Sequence, residues 1–223
     1  MIQSRTLRTF IGALLTTLAW GCCTISPGEC QLARFKQWAS QGNDPAIVKE
    51  TVDCAPSAPG CVQLYIIRGM ACYHLGRQGV EPKARYECAI EELQHGVEFA
   101  RLNDEPERHH KRYLQALLES IRERQDLSSS WDESLPYVVL LRERAFEFRQ
   151  MFPEKPDGYY YGATALLLEA NRHMAQGASA KACELWSEAN DLLEANTRPG
   201  NLAQNLAQTQ RQVENLQRTE CPT

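Results

Sequence analysis

The sequence predicts an all-α fold. Apolar residues recur at helical spacing along most of the chain, helix-starting and helix-ending residues separate these runs, and strand-like alternation and hairpin signals do not occur. Hydrophobic residues make up 43% and charged residues 23% of the 223 positions, which is typical of a globular chain rather than a disordered one. The formal charge of -4 argues against a nucleic-acid binder, because such proteins present a basic surface.

The first 21 residues have the composition of a secretory signal. Arg5 and Arg8 precede an uncharged, mostly apolar run from Phe10 to Trp20, which is too short to span a bilayer. A buried N-terminal helix is the alternative, although such a helix would carry a polar stripe that this run lacks. We therefore expect residues 1–21 to be a signal peptide.

The segment from Leu18 to Cys22 resembles a bacterial lipobox, with Gly21 directly before the cysteine. The resemblance implies that Cys22 is lipidated and that the protein is an outer-membrane lipoprotein facing the periplasm, since Cys23 is not the Asp of inner-membrane retention. Trp20 departs from the pattern, in which a small or aliphatic residue is usual.

Ordinary signal peptidase is the alternative for this export signal. The small residues of Ala19-Trp20-Gly21 also fit its cleavage rule, which would release a soluble periplasmic protein. On the lipoprotein interpretation, residues 22–30 form the lipidated cysteine and a tether, and residues 31–223 form the folded domain.

Proline, glycine and capping residues divide the folded domain into about nine helices. Leu32, Phe35 and Trp38 share one face of the first helix. Asn43 caps the second helix, with Pro45 in its first turn. The helices are predicted over about 32–39, 45–52, 62–75, 82–102, 106–126, 135–151, 158–176, 179–196 and 201–218.

Turn and cap residues set the later helix boundaries. They are, in order, the Pro-rich loop 55–60, Gly76 or Gly79, Glu81-Pro82, the run 103–106, the serines 128–130, Phe152-Pro153, the run 156–158, Gly177 with Ser179 as a cap, and the run 198–200. Pro136 lies one turn into its predicted helix, where the missing amide is tolerable.

Two helix pairs share a spacing of small and large residues. Small residues let two antiparallel helices approach closely, and a large residue fills the groove between them. The two sets, 93 residues apart, are Gly69, Ala89, Leu93 and Gly96, and then Gly162, Ala182, Trp186 and Ala189. Chance similarity between two amphipathic hairpins is the alternative.

This pattern resembles the tetratricopeptide (TPR) repeat, in which the small residue and the Ala are about 12 positions apart. Here Gly69 and Ala89 are 20 apart, so each helix is longer by roughly a turn. The resemblance implies a right-handed TPR-like α-solenoid of antiparallel helix pairs. The last helix carries a stripe of Leu202, Leu206, Val213 and Leu216 and is predicted to cap the solenoid; a short coiled-coil dimer is the alternative.

Nine cysteines are many for a reducing cytosol and fit the oxidising space that an export signal implies. Cys72 and Cys88 lie eight residues either side of Val80, so they sit at similar heights on adjacent antiparallel helices. Cys54 and Cys61 bracket the Pro-rich loop. Each pair is a candidate disulfide, and the alternative for the helical pair is two small apolar core residues.

The remaining cysteines are expected to be core residues or unpaired residues near the termini. They are Cys23, Cys30, Cys183 and Cys221. No Cys-x-x-Cys motif occurs, so neither a thioredoxin-type redox site nor a zinc ribbon is indicated.

No pattern in the sequence indicates catalysis. Nucleophile-elbow, phosphate-loop and zinc-protease motifs do not occur. Glu92 with His95 and Glu107 with His110 have the Glu-x-x-His spacing of di-iron bundles, but Glu107 follows a proline in a first helical turn, where acids are common for other reasons. We expect no metal, no cofactor and no enzymatic activity.

Aromatic and charged residues give two further interpretations. Tyr159, Tyr160 and Tyr161 cannot all face one core, so at least one should be partly exposed and available as a partner-binding anchor; core packing is the alternative. Arg142, Arg144 and Arg149, interleaved with Glu143 and Glu147, are interpreted as a solvated helix face.

Together these features predict an exported, lipid-anchored, non-catalytic scaffold that binds a protein or peptide partner in the cell envelope. Resemblance to small TPR lipoproteins implies an assembly factor, or a pilotin for a secretion or pilus machine. The alternative is a periplasmic small-ligand-binding component associated with a solute transporter, which would need inward Tyr, Arg and His side chains between helices. The sequence leaves the oligomeric state open.

Overall fold

Helices account for the regular secondary structure of the computed structural model, which describes residues 27–52, 54–55, 57–58, 60–103, 110–196 and 200–221. Within those ranges there are nine α-helices and no strands. The helices are α1 (Pro27–Ser40), α2 (Asp44–Lys49), α3 (Cys61–Arg77), α4 (Pro82–Leu102), α5 (Lys111–Asp126), α6 (Trp131–Met151), α7 (Asp157–Ala175), α8 (Ser179–Glu194) and α9 (Ala203–Glu220), with a 3-10 turn at Gly200–Leu202 before α9. The predicted signal peptide and Cys22 lie outside the described residues.

Local capping explains where two helices begin. The Asn43 side chain accepts a hydrogen bond from the Ala46 amide at 3.4 Å, so it caps α2 as its sequence predicts. The Ser130 hydroxyl accepts from the Glu133 amide at 3.3 Å and caps α6, which therefore begins at Trp131, four residues before the predicted start. Pro136 consequently lies in the second turn of α6.

The predicted cap of α8 is wrong by one residue. Ala178, rather than Ser179, is the N-cap residue, and Ser179 is the first residue of the helix. The reason is the preceding Gly177, whose φ of +76° completes the chain reversal early enough for the helix to start directly after Ala178.

Neighbouring helices pack against each other in sequence order. α3 packs on α4, α5 on α6, and α7 on α8, and the short connections make each of these pairs antiparallel. α3 also contacts α5, and α5 contacts α7, so alternate helices form a second set of neighbours. α9 packs against both α7 and α8.

Small residues bring the paired helices together, as predicted. A Cβ added to Gly69 would lie 2.7 Å from Cγ of Leu93, so Leu93 occupies the space beside the glycine. In the α7–α8 pair, a Cβ on Gly162 would meet Cδ2 of Leu192 at 2.8 Å, so Leu192 rather than Trp186 takes this place. Trp186 is buried elsewhere in the core shared with α9.

The last helix covers the apolar end of the α7–α8 pair. Leu206 and Val213 are buried, with Leu202 and Leu216 half-buried beside them. These four residues are the stripe that predicts a cap, and in the structure they lie against α7 and α8.

Disulfides join several of these elements. The predicted pairs Cys54–Cys61 and Cys72–Cys88 are both bonded, with Cα–Cα distances of 5.8 Å and 5.9 Å. The first closes the loop before α3 and the second joins α3 to α4.

The expectation for the remaining described cysteines is wrong. Cys183 and Cys221 form a disulfide that ties the start of α8 to the end of α9. The two residues are 38 positions apart in sequence, and only the return of α9 along α8 brings them together. Cys30 is disulfide-bonded too, rather than unpaired.

None of the described helices is both long enough and apolar enough to cross a bilayer.

Candidate functional site

Helix α6 carries apolar side chains on an outer face. Leu135, Val139 and Phe146 are 41%, 39% and 51% exposed, and their spacings of four and seven residues place them on one side of the helix. The opposite side of α6 is buried through Val138, Leu141, Ala145 and Phe148. Because a surface helix usually has one apolar face, a second one indicates an interaction surface.

This outer face forms one wall of a groove, which we call the α6–α8 groove. Its floor is α7, contributing Gly162 and Leu166, and its opposite wall is α8, contributing Leu192. The groove encloses about 310 Å³ and includes Phe146 in its lining. Helices α6 and α8 both pack on α7, which leaves the space between them open above it.

A second hollow lies beside the groove, toward the N-terminal end of α6. Leu135 and Val139 line this hollow of about 230 Å³ together with Arg172 of α7, and α8 contributes no lining residue. Arg142 lines both the groove and the second hollow. From Leu135 to Phe146 the apolar wall is about 17 Å long, at about 1.5 Å of rise per residue.

The two walls of the groove carry opposite charges. On the α6 side, Arg142 pairs with Glu169 at 2.7 Å, and the Arg149 guanidinium lies 5.4 Å from the Phe146 ring. On the α8 side, Glu188 and Asp191 are exposed. Burial raises the pKa of Glu169, against the opposing effect of the Arg142 guanidinium.

The interpretation of the α6 charges as a solvated face needs correction. Only part of this set faces solvent: the Arg144 side chain is 15% exposed and pairs with Glu147 at 2.9 Å and with Glu98 of α4 at 3.4 Å. Arg142 is fixed by α7 through Glu169. These ion pairs join α6 to the helices on either side of it and orient its outer face.

The three tyrosines predicted as a partner-binding anchor separate in the structure. Tyr159 is half-buried, donates a hydrogen bond to the Pro153 carbonyl at 3.0 Å, and lies with its ring 5.8 Å from the Arg149 guanidinium at one end of the groove. Tyr160 packs between the two main apolar clusters. Tyr161 is 8% exposed and lines a different cavity.

The described residues of the two Glu-x-x-His motifs have structural roles. Glu92 is buried and paired with Arg68, and the His95 ring stacks on Phe99 at 5.8 Å. Glu107 lies outside the described residues, whereas His110 is 1% exposed. Within the described ranges, no group of three or more His, Cys, Asp or Glu side chains is arranged to hold a metal ion.

Helix spacing alone does not predict the α6–α8 groove, although one feature of the sequence indicates an exposed apolar face on α6. Helix α6 has apolar residues around most of its circumference, which is unusual for a helix at the surface.

Comparisons found no family model, no curated protein and no solved structure that matches this chain.

Proposed function

We propose that this protein is an exported, lipid-anchored scaffold that binds an envelope protein in the α6–α8 groove. The observation that carries the proposal is the exposed apolar face of Leu135, Val139 and Phe146 on α6, which at Phe146 borders a groove whose floor is also apolar at Leu166. Exposed apolar surface of this kind marks binding sites in proteins that otherwise cover their cores.

The occupant that fits the groove is one amphipathic helix of the partner. A wall of about 17 Å corresponds to about three helical turns, and binding of a helix by its apolar face in a groove is a common recognition mode. The charges add specificity: acidic residues of the partner would face Arg149, and basic residues would face Glu188 and Asp191.

The cysteines support export. Every described cysteine is disulfide-bonded, which is typical of an oxidising compartment outside the cytosol. Three of these bonds join described residues, and the partner of Cys30 is not one of those six cysteines.

We also propose that the helix pairs form a right-handed TPR-like solenoid. The contacts of α3 with α5 and of α5 with α7 support the proposal, because stacking of successive first helices is how such repeats build a continuous surface. In this arrangement α9 is the terminal cap, which the burial of Leu206 and Val213 supports.

Site-specific photo-crosslinking in the native cell tests the scaffold function. A photoreactive phenylalanine analogue would replace Phe146 in one strain and Leu102 in another; Leu102 is 72% exposed at the end of α4 and lies outside the groove. We expect one discrete envelope-protein adduct at position 146 and none at position 102. The same adducts at both positions, or none at either, would contradict the proposal.

A charge reversal tests the orientation of the bound helix. Glu188→Lys with Asp191→Lys should abolish the adduct at position 146, because both walls would then repel basic residues of the partner. Glu184→Lys, also exposed on α8 but outside the groove lining, is the matched control and should leave the adduct unchanged.

A further inference from the structure

A second cavity, separate from the α6–α8 groove, lies among helices α3, α5 and α7. It encloses about 320 Å³, which is near the lower end of the roughly 300–1,000 Å³ of small-molecule sites. The 3-10 turn closes one side through Asn201 and Leu202. The cavity and the groove share no lining residue, so each can be tested without the other.

One wall of the cavity holds a buried carboxylate with one oxygen that lacks a hydrogen-bond donor. Asp157 is 7% exposed, and its Oδ2 makes no hydrogen bond within the described residues. Asp157 takes part in none of the ion pairs among the described residues, although Lys111 of α5 is near enough to interact with it electrostatically. A ligand that supplies a cationic donor would give this oxygen the hydrogen bond that the described residues do not provide.

A positive charge in the lining comes from an arginine of α5. Arg112 lines the cavity and forms no ion pair with any described residue. The other arginine of the cavity, Arg77, is already engaged: its Nε lies 3.5 Å from Glu119, and its Nη1 donates to the Tyr73 hydroxyl at 3.3 Å. Arg112 is therefore the arginine whose guanidinium is available to donate hydrogen bonds to an anionic ligand group.

Two tyrosines complete the lining. The Tyr73 hydroxyl donates to Glu119 at 2.6 Å, which holds Tyr73, Glu119 and Arg77 in one fixed network. Tyr161 projects from α7, one turn after Asp157. Burial raises the pKa of both tyrosines, so both hydroxyls stay protonated and the cavity gains no further negative charge from them.

We propose that this cavity binds a small zwitterion, such as a single free amino acid, with its ammonium group at Asp157 and its carboxylate at Arg112. The volume admits a small solute rather than a long peptide. The Tyr, Arg and His lining meets the requirement of a small-ligand-binding component, and His74 is part of it, held by Asp44 at 3.3 Å.

Thermal denaturation of the full-length chain in detergent tests the proposal. Each of the twenty common L-amino acids is compared with its amine, which lacks the carboxylate, and with its N-acetyl derivative, which lacks the ammonium group. We expect at least one free amino acid to raise Tm by several degrees, with neither analogue doing so. If no amino acid shifts Tm, or if an amine or N-acetyl derivative shifts it equally, the proposal is wrong.

Variants separate a binding role from a structural one. Titration calorimetry with that amino acid should show binding weakened at least tenfold in Arg112→Gln and in Asp157→Asn, and unchanged in Arg122→Gln, whose side chain lies on the same helix outside the cavity. Without ligand, Asp157→Asn should melt near the wild-type Tm, because losing the charge of one acid in the first turn of α7 is a small effect. Unchanged affinity in both cavity variants would overturn the proposal.

Discussion

Truncation of two phenylalanines of α6, two residues apart, should destabilise the protein by very different amounts. Phe148 is fully buried in the main core and its ring centroid lies 5.0 Å from that of Phe152, whereas Phe146 is 51% exposed. Phe148→Ala removes a packed ring and leaves a cavity, which costs about 3–5 kcal/mol. Phe146→Ala loses partial packing and the stacked Arg149, which costs about 1 kcal/mol or less.

Guanidinium denaturation of the oxidised protein measures both costs. We expect a large fall in the unfolding midpoint for Phe148→Ala and a small one for Phe146→Ala, with similar slopes. Partner crosslinking from Val139, on the same outer face of α6, should be lost in Phe146→Ala although this variant stays folded. If the two variants were destabilised equally, the outer face of α6 would not be free, and the assignment of the groove as a binding surface would be wrong.

The remaining predictions concern cross-links, anchoring and pH. Replacing both cysteines of one disulfide by Ser should cost about 4 kcal/mol for Cys183–Cys221 and about 2–3 kcal/mol for Cys54–Cys61 in the chain-entropy model, because the closed loops span 38 and 7 residues; an inverted order in denaturant melts would contradict this. Palmitate labelling of the wild type with Cys22→Ala as control should show label only on the wild type, and an unlabelled wild type would refute the anchor. Burial raises the pKa of Glu92 above its ordinary 4.5, so the folded state holds this proton more tightly than the unfolded state does. The stability of the wild type relative to Glu92→Gln should therefore fall as the pH rises above about 4.5, and unfolding free energies that stay parallel from pH 4 to pH 7 would refute it.

The sequence is most informative where local chemistry decides the structure. Pro82 and the cap at Asn43 begin their helices as predicted, and the spacing of Gly69 and Leu93 identifies helices that touch closely. The start of α6 was missed even though Ser130 and Glu133 have the spacing of a capping box, a signal that local analysis could have used.

Features that depend on packing could not be predicted in this way. The bond between Cys183 and Cys221 requires α9 to return along α8, and helical periodicity does not specify that path. Which apolar face of α6 is covered depends on how α6 packs against α5 and α7, and helical periodicity does not specify that packing. The burial of the Asp157 carboxylate is equally invisible in sequence, where an acid in a first helical turn is ordinary.

The central claim is that the α6–α8 groove holds a helix of an envelope partner, and the identity of the peptide attached at position 146 tests it most directly. Mass spectrometry of the photo-adduct should locate the bond in an amphipathic segment, with acidic residues on one flank of its apolar stripe and basic residues on the other, as the two groove walls require. A bond in a strand or loop, or in a helix with one sign of charge on both flanks, would contradict the account.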